Sequence, residues 1–421
     1  MPTKTNTNVK KNDIPVVSMT AGLDIGNGDA KCKIKIDKKD PIALLVPSAV
    51  TYTASSNTPK TPTPEYMQDL ANNLDAQVVG PGVKAIDEGR MFFGRRAINS
   101  GQSLTMFNIN NHVPKSQDSL STILIDGIVA SAALTSYYED HKALPEILNV
   151  VAGIGIALPI NDFLDYRDSY SQSLQSGNHV VTVRNFGKPI QVQIHYSSCV
   201  ILAEGAAAQY AIRKLGPKFI QMALDRARQE GAKIDPAYTG EMLAQATNSI
   251  GIDLGDGTVN FPVITNGRIN VEASSSIDKG YGTVLDEAVQ DLSHTMARFD
   301  SRRALSSFML DESNLTMPAQ KATYQVAQRA IDNHKQIFVR DIRTMFTDIF
   351  RKVGQRTQVI WVYGGGATPM KETLEPVLID ETMVGSGENI PILWMDSSYS
   401  RNLNRNGLYE AAVYGVRSNL Q

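Results

Sequence analysis

Three short stretches of this chain set glycine beside acids or lysine at spacings that suit phosphate chemistry. The first is LDIGNGDAK, with Asp24, Gly26, Asn27, Gly28 and Lys31. The second is IDLGDGTVN, with Asp253, Gly255, Asp256, Gly257 and Thr258. The third is VYGGGATP, with Gly364, Gly365 and Gly366. Glycines at a hairpin tip let backbone N–H groups approach a phosphate with no Cβ in the way. An Asp that ends the preceding strand can hold a hydrated Mg²⁺, which keeps several waters and takes few protein ligands. Lys31 can then neutralise phosphates as a point charge. A triple glycine between a strand and a helix permits close approach of a flat base or ribose. Singly, such stretches are ordinary turns, because Asp-Gly is a favoured hairpin tip. Two of them, however, share one frame, D-[IL]-G-[ND]-G, at Asp24 and at Asp253. That echo points to matching hairpins, one per half, clamping a nucleotide's phosphates between two domains. The chain has no GxxxxGK[ST] run, which argues against a P-loop NTPase.

The elements that must hold these loops are legible from periodicity. Order begins near Val16, and Ala30, Cys32, Ile34 and Ile36 alternate as a strand after the first tip. Residues 53–66 are rich in Pro, Thr and Ser and read as an exposed loop, and 78–110 as short strands and turns. Residues 118–140 carry helical spacing with Ser119 or Ser121 as N-cap. The apolar run 147–160 suits a buried central strand. A short polar helix ending at Gly177 and two paired strands around Asn185 to Gly187 follow. Residues 199–216 read as an alanine-rich helix, and a second helix starts at Pro217. Residues 249–265 form the second hairpin, and 280–353 is mostly helical with a break near Pro318. Then come strand, glycine loop and helix over 358–378, a strand at IPILWM, and a closing helix.

At 421 residues and 42% hydrophobic content, the chain is long enough for two domains. A net charge of −2 implies no global pull toward nucleic acid or membrane. The expectation is therefore no direct nucleic-acid binding and no membrane, since no apolar run reaches a membrane span. Cys32 and Cys199 show no metal spacing and read as small core residues in a reducing cytosol.

The motif set resembles the actin-like ATPase superfamily, which also holds heat-shock chaperones and sugar kinases. DIGNGDAK resembles its first phosphate motif, DLGDGT its second, and GGGATP its adenosine motif. The run VAGIGIALPINDFLDYRDSYSQSL, the later CVILAEGAAA and the ending SSYSRNLNRNGLYEAAV are similar to the bacterial plasmid-segregation actins, the ParM/StbA group. The resemblance covers roughly residues 20–415, in patches.

It implies an α/β, actin-like two-domain fold, with duplicated ribonuclease-H-like cores and a nucleotide cleft between them. The expected divisions are a flexible tail over 1–16 and domain I over 17–215, with a loop-rich insertion about 40–115. Domain II would span 216–395, with a helical subdomain about 280–353, and 396–421 would be a C-terminal helix returning to domain I. By position, Asp24 and Asp253 would hold the water shell of Mg²⁺. The backbones of Gly26–Gly28 and Gly255–Gly257 would cradle the phosphates, with Lys31 as charge partner and Thr258 in support. Gly364, Gly365 and Gly366 would line the adenosine. Glu204 falls where the family places the acid or amide of its connecting helix, so Glu204 and Asp253 would be catalytic. Asp256 would shape its turn. The implied activity is a cytoplasmic ATPase that polymerises head to tail with Mg-ATP, GTP being an alternative nucleotide, and loses its polymer on hydrolysis. It would segregate plasmid DNA through a DNA-binding adaptor protein on a centromere-like site. The insertions at 53–66 and 231–247 are longer than the family usually has. Rival readings on the same fold are a small-molecule kinase, a chaperone ATPase and a non-dynamic nucleotide-binding scaffold.

Overall fold

A computed structural model describes residues 14–54, 58–107, 113–386 and 390–418. Most of the expected tail and part of the 53–66 loop lie outside the described residues. The first of two sheets has ten strands. They are β1 (Val16–Ile25), β2 (Asp29–Ile36), β3 (Ile42–Pro47), β4 (Ala49–Tyr52), β5 (Asp75–Val79), β6 (Arg90–Phe93), β7 (Thr105–Met106), β8 (Ile147–Leu158), β9 (His179–Val183) and β10 (Ile190–Ala203). Their order is β3-β2-β1-β8-β10-β9-β5-β6-β4-β7. The apolar run predicted as a central strand is β8, parallel to β1 on one side and β10 on the other. Such a strand is covered on both faces and needs no polar alternation. Helices α1 (Pro64–Gln68), α2 (Leu70–Asn73), α3 (Gly94–Ile98), α4 (Ser119–His141) and α5 (Ile160–Gln175) accompany this sheet.

The second sheet is built on β11 (Ser249–Leu254), every residue of which is buried. β12 (Val259–Phe261) and β13 (Val263–Thr265) run antiparallel to it. β14 (Arg268–Ile269) and β15 (Ser275–Ile277) extend the antiparallel edge. β16 (Val359–Tyr363) and β17 (Ile392–Trp394) add parallel strands on the other side. The remaining helices are α6 (Ala206–Gln229), α7 (Gly240–Ala244), α8 (Tyr281–Leu292), α9 (Arg302–Leu310), α10 (Pro318–Val353), α11 (Ala367–Ser386), α12 (Ser397–Ser400) and α13 (Leu403–Ser418).

The two sheets repeat one plan. In the first, an antiparallel ladder β3-β2-β1 continues into parallel β8 and β10. In the second, the ladder β15-β12-β11 continues into parallel β16 and β17. The duplication suspected from the echoed motif is thus a duplication of the whole core. Each sheet has its own apolar cluster, and a third cluster joins α6 and α7 to β16 and β17. α13 crosses back to lie on β1, β8 and α6. This is an actin-like, two-domain α/β fold.

Several sequence-based expectations are corrected here. The helix read from residue 199 begins at Ala206, because 199–203 continue β10 in register with β8. The expected division into two helices holds, since Gly216, with a φ of 85°, breaks the α6 path before Pro217. The N-cap of α4 is Asp118, which accepts from the Leu120 amide, while the Ser119 hydroxyl accepts from the Lys84 amide instead. Pro318 opens α10 rather than breaking a helix, since a first-turn proline loses no hydrogen bond. α4 is long and apolar enough to cross a membrane by length and composition, contrary to the sequence reading, yet its apolar stretch is buried inside the protein. Both cysteines are free, Cys32 buried and Cys199 half-buried.

Candidate functional site

The two echoed hairpins close in the same way. At the first tip the Gly26 amide donates to the Asp24 and Asp29 carbonyls at 3.1 and 3.2 Å. At the second, the Gly255 amide donates to the Asp253 and Thr258 carbonyls at 3.2 and 2.9 Å. A Cβ on either glycine would sit 2.8 Å from the carbonyl oxygen of Asp29 or Thr258, so only glycine fits the shared bend. The tips face each other, the Cβ position of Gly28 lying 3.8 Å from Asp256 Oδ2. Asn27 is half-buried between its glycines and Gly257 is buried. Lys31 pairs in register with Asp24 across β1 and β2.

The acids gather at the floor between these tips. Burial raises the Asp24 carboxyl, the Lys31 ammonium opposes that rise, and the Glu204 charge adds to it. Burial pushes Asp253 up to about 7, against the Asn404 hydrogen bond and with help from the Asp24 charge. Glu204 sits between β10 and α6, on the turn whose next residue, Gly205, has a φ of 78°. A Cβ there would come 3.3 Å from Asp253 Cβ, so the turn that presents Glu204 packs on the strand that presents Asp253. Among the described residues no group of three or more His, Cys, Asp or Glu is close enough to hold a metal ion directly.

Four partners of these acids were not foreseen. Lys115 Nζ donates to Glu204 Oε1 at 2.7 Å and to the Ile25 carbonyl at 3.2 Å. Its own amide donates to Asp162 on α5. Asn260 Nδ2 lies 3.3 Å from Glu204 Oε2 and 3.3 Å from Thr258 Oγ1. Asn404 Nδ2 donates to Asp253 Oδ2 at 2.7 Å. Arg302 bridges Asp256 and Asp286 at 2.8 and 3.0 Å, so Asp256 does more than shape its turn. Asn260 was findable, because hairpin register sets it opposite Asp253. The others come from 89, 151 and 46 residues away, with no local signal. The side-chain amide oxygens, Oδ1, of Asn260 and Asn404 are buried without a partner beside these carboxylates. Buried polar atoms left so are costly and mark places where a further group completes the network.

The triple glycine closes the third side. Gly364 has a φ of 99°, and a Cβ there would meet Asp253 Oδ1 at 2.6 Å. The Gly366 amide donates to the Leu254 carbonyl at 2.8 Å, tying the loop to β11. Gly365 has open space around it and α11 starts just beyond. Tyr363, at the end of β16, donates to the Gly205 carbonyl at 2.7 Å. All three glycine stretches and Glu204 therefore come together at one place between the two sheets.

No protein-family model and no curated protein matches the chain. Solved structures do. ParM of Bacillus thuringiensis with ATP is 14% identical at a TM-score of 0.59, covering 96% of this chain and 100% of that one. The apo pSK41 ParM protein is 15% identical at a TM-score of 0.53, covering 96% and 99%. Ta0583, an archaeal actin homologue, is 13% identical at a TM-score of 0.59, covering 94% and 99%. At such identity the likeness is one of fold, extending over nearly the whole of each chain.

Proposed function

We propose that this chain is an ATPase that polymerises head to tail with Mg-ATP, loses its polymer on hydrolysis, and moves or positions DNA through an adaptor protein. The observation that carries the reading is that two identically closed acid–glycine hairpins, a triple-glycine loop and Glu204 come together between duplicated cores. Solved relatives in fold include ParM with ATP, with AMPPNP and with ADP, which supports a nucleotide at that place.

In this reading the glycine tips offer backbone amides to the phosphates, and Lys31 balances their charge. Asp24 and Asp253 would hold a magnesium ion through water, and the unpartnered side-chain Oδ1 atoms of Asn260 and Asn404 fit such a hydrated neighbour. Magnesium, when bound, would neutralise phosphate charge. Glu204 orients the attacking water, and Lys115 fixes one of its oxygens while Asn260 reaches the other. Gly364 to Gly366 line the adenosine.

The test is light scattering and pelleting with Mg²⁺ and ATP, against GTP, ADP and no nucleotide, with phosphate release followed in parallel. ATP-dependent scattering that decays as phosphate appears is the expected result. Glu204→Ala should still polymerise but release phosphate about a hundredfold more slowly and keep its polymer. Phosphate release by that variant at the parent rate would remove Glu204 from the mechanism. Absence of polymer with every nucleotide would defeat the filament reading.

A further inference from the structure

We propose that the two ends of α10 form the contact between successive copies, an acidic and apolar knob at its start entering a basic cavity at its end on the next copy. This deepens the filament reading above and rests on it.

The knob spans residues 310–317, between α9 and α10. It leaves large apolar side chains in water, with Leu310 75% and Met317 61% exposed. Asp311 and Glu312 stand exposed beside them. Its shape is fixed from within. Asp311 Oδ1 accepts from the Ser313 amide at 3.0 Å, Thr316 Oγ1 donates to the Ser313 carbonyl at 2.6 Å, and buried Asn314 donates to the Phe308 carbonyl at 2.9 Å. A floppy loop would lose more entropy on docking than one already ordered.

At the other end of the helix is a cavity of about 350 Å³. Arg351, Lys352 and Arg356 line it, with Ile264 and Val353 among its apolar residues and no carboxylate anywhere in its lining. Arg351 lies 3.7 Å from Asp348, both well exposed, which is a weak pairing, and its charge also reaches Glu381. Cations in a last turn complement the helix dipole, which accounts for Arg351 and Lys352. It does not account for Arg356 beyond the helix, for the cavity, or for Leu310 and Met317 in water.

The knob and the cavity thus complement each other in charge and in apolar content. They cannot meet within one molecule, because α10 holds them apart. Its 36 residues, at about 1.5 Å each, span roughly 54 Å. Two different surfaces at opposite ends of a rigid element make a heterologous contact. Each docking leaves one free knob and one free cavity, so assembly stays open. Opposite charges fix register, and the apolar pair supplies the desolvated centre.

Charge reversal tests this contact on the full chain. One variant carries Asp311→Lys and Glu312→Lys, the other Arg351→Glu and Arg356→Glu. All four positions are exposed, and thermal melts with Mg-ATP binding check that each monomer is intact. Each variant alone should raise the concentration needed for pelleting about tenfold or more. Mixed in equal amounts they should copolymerise at a concentration near that of the parent, since every knob then finds an oppositely charged cavity. Polymerisation of either variant alone at the parent concentration would overturn the contact. So would failure of the mixture while the parent polymerises. A parent that never polymerises would instead remove the filament reading, and this contact with it.

Discussion

Asp253 is the residue most at odds with its surroundings. It is 5% exposed, and its carboxyl is raised from the ordinary 3.8 to about 7, chiefly by burial. Because its folded-state pKa stands above that of the unfolded chain, it favours folding below about pH 4. That contribution is lost as pH rises through about 7. At about 1.4 kcal/mol for each pH unit, the ionised form costs a few kcal/mol at most. Asp253→Asn should therefore melt higher than the parent at pH 8 without nucleotide, and show a flatter pH dependence between 4 and 7. It should also lose the stabilisation that Mg-ATP gives the parent. Functional acids held against their own stability behave this way. A lower melting temperature at pH 8 would show that Asp253 serves the fold instead. At this scale the sequence was informative about the acids and glycines, whose spacing is local. It was silent about Lys115, Asn404 and Arg302, because a partner chosen across the fold leaves no mark in a short window.

At the scale of elements, the close seating of α13 depends on missing side chains. A Cβ on Gly155 of β8 would overlap the Leu408 carbonyl, and one on Gly22 of β1 would overlap the Tyr409 backbone. A Cβ on Gly407 would overlap the carbonyl of Ala207 in α6. Three elements can therefore approach the helix backbone to backbone. Gly407→Ala should force them apart at a cost of about 1–3 kcal/mol or more, as overpacking does. Thermal melts with limited proteolysis would measure it, with the C-terminal segment cleaved first. An unchanged melting temperature and cleavage pattern would mean that α13 has room to shift. The helices and strands themselves were mostly legible, since hydrophobic period fixes them. Their boundaries were less so. Residues 199–203 have helix-like neighbours in Ala206 to Ala208, but the ladder with β8 holds them as strand. Close helix seating was not legible at all, because a glycine in a periodic window looks the same whether it meets solvent or another backbone.

At the scale of the whole molecule, the duplication was visible in two five-residue frames, whereas the coupling between the halves was not. Asn404 belongs to α13, which lies on the first sheet, and it donates to Asp253 on the second. This bond therefore joins the two halves directly. Tyr363 makes a parallel link, from the strand of the triple-glycine loop to the Glu204 turn. A nucleotide held by both hairpins would draw the sheets together only if the floor transmits the movement, and Asn404 is one direct tie there, beside the bond from Asn260 to Glu204. Asn404→Ala removes the donor without adding bulk, and leaves buried Asp253 without the hydrogen bond that lowers its pKa. Small-angle scattering of monomer, kept dilute enough to prevent assembly, reads the consequence. The parent should contract when Mg-ATP is added. The variant should match the parent without nucleotide but contract several-fold less, and should need more Mg-ATP to reach half of its change. If the variant contracts fully at the parent's nucleotide concentration, closure is carried by the tips themselves, and the bond to Asp253 only tunes its charge.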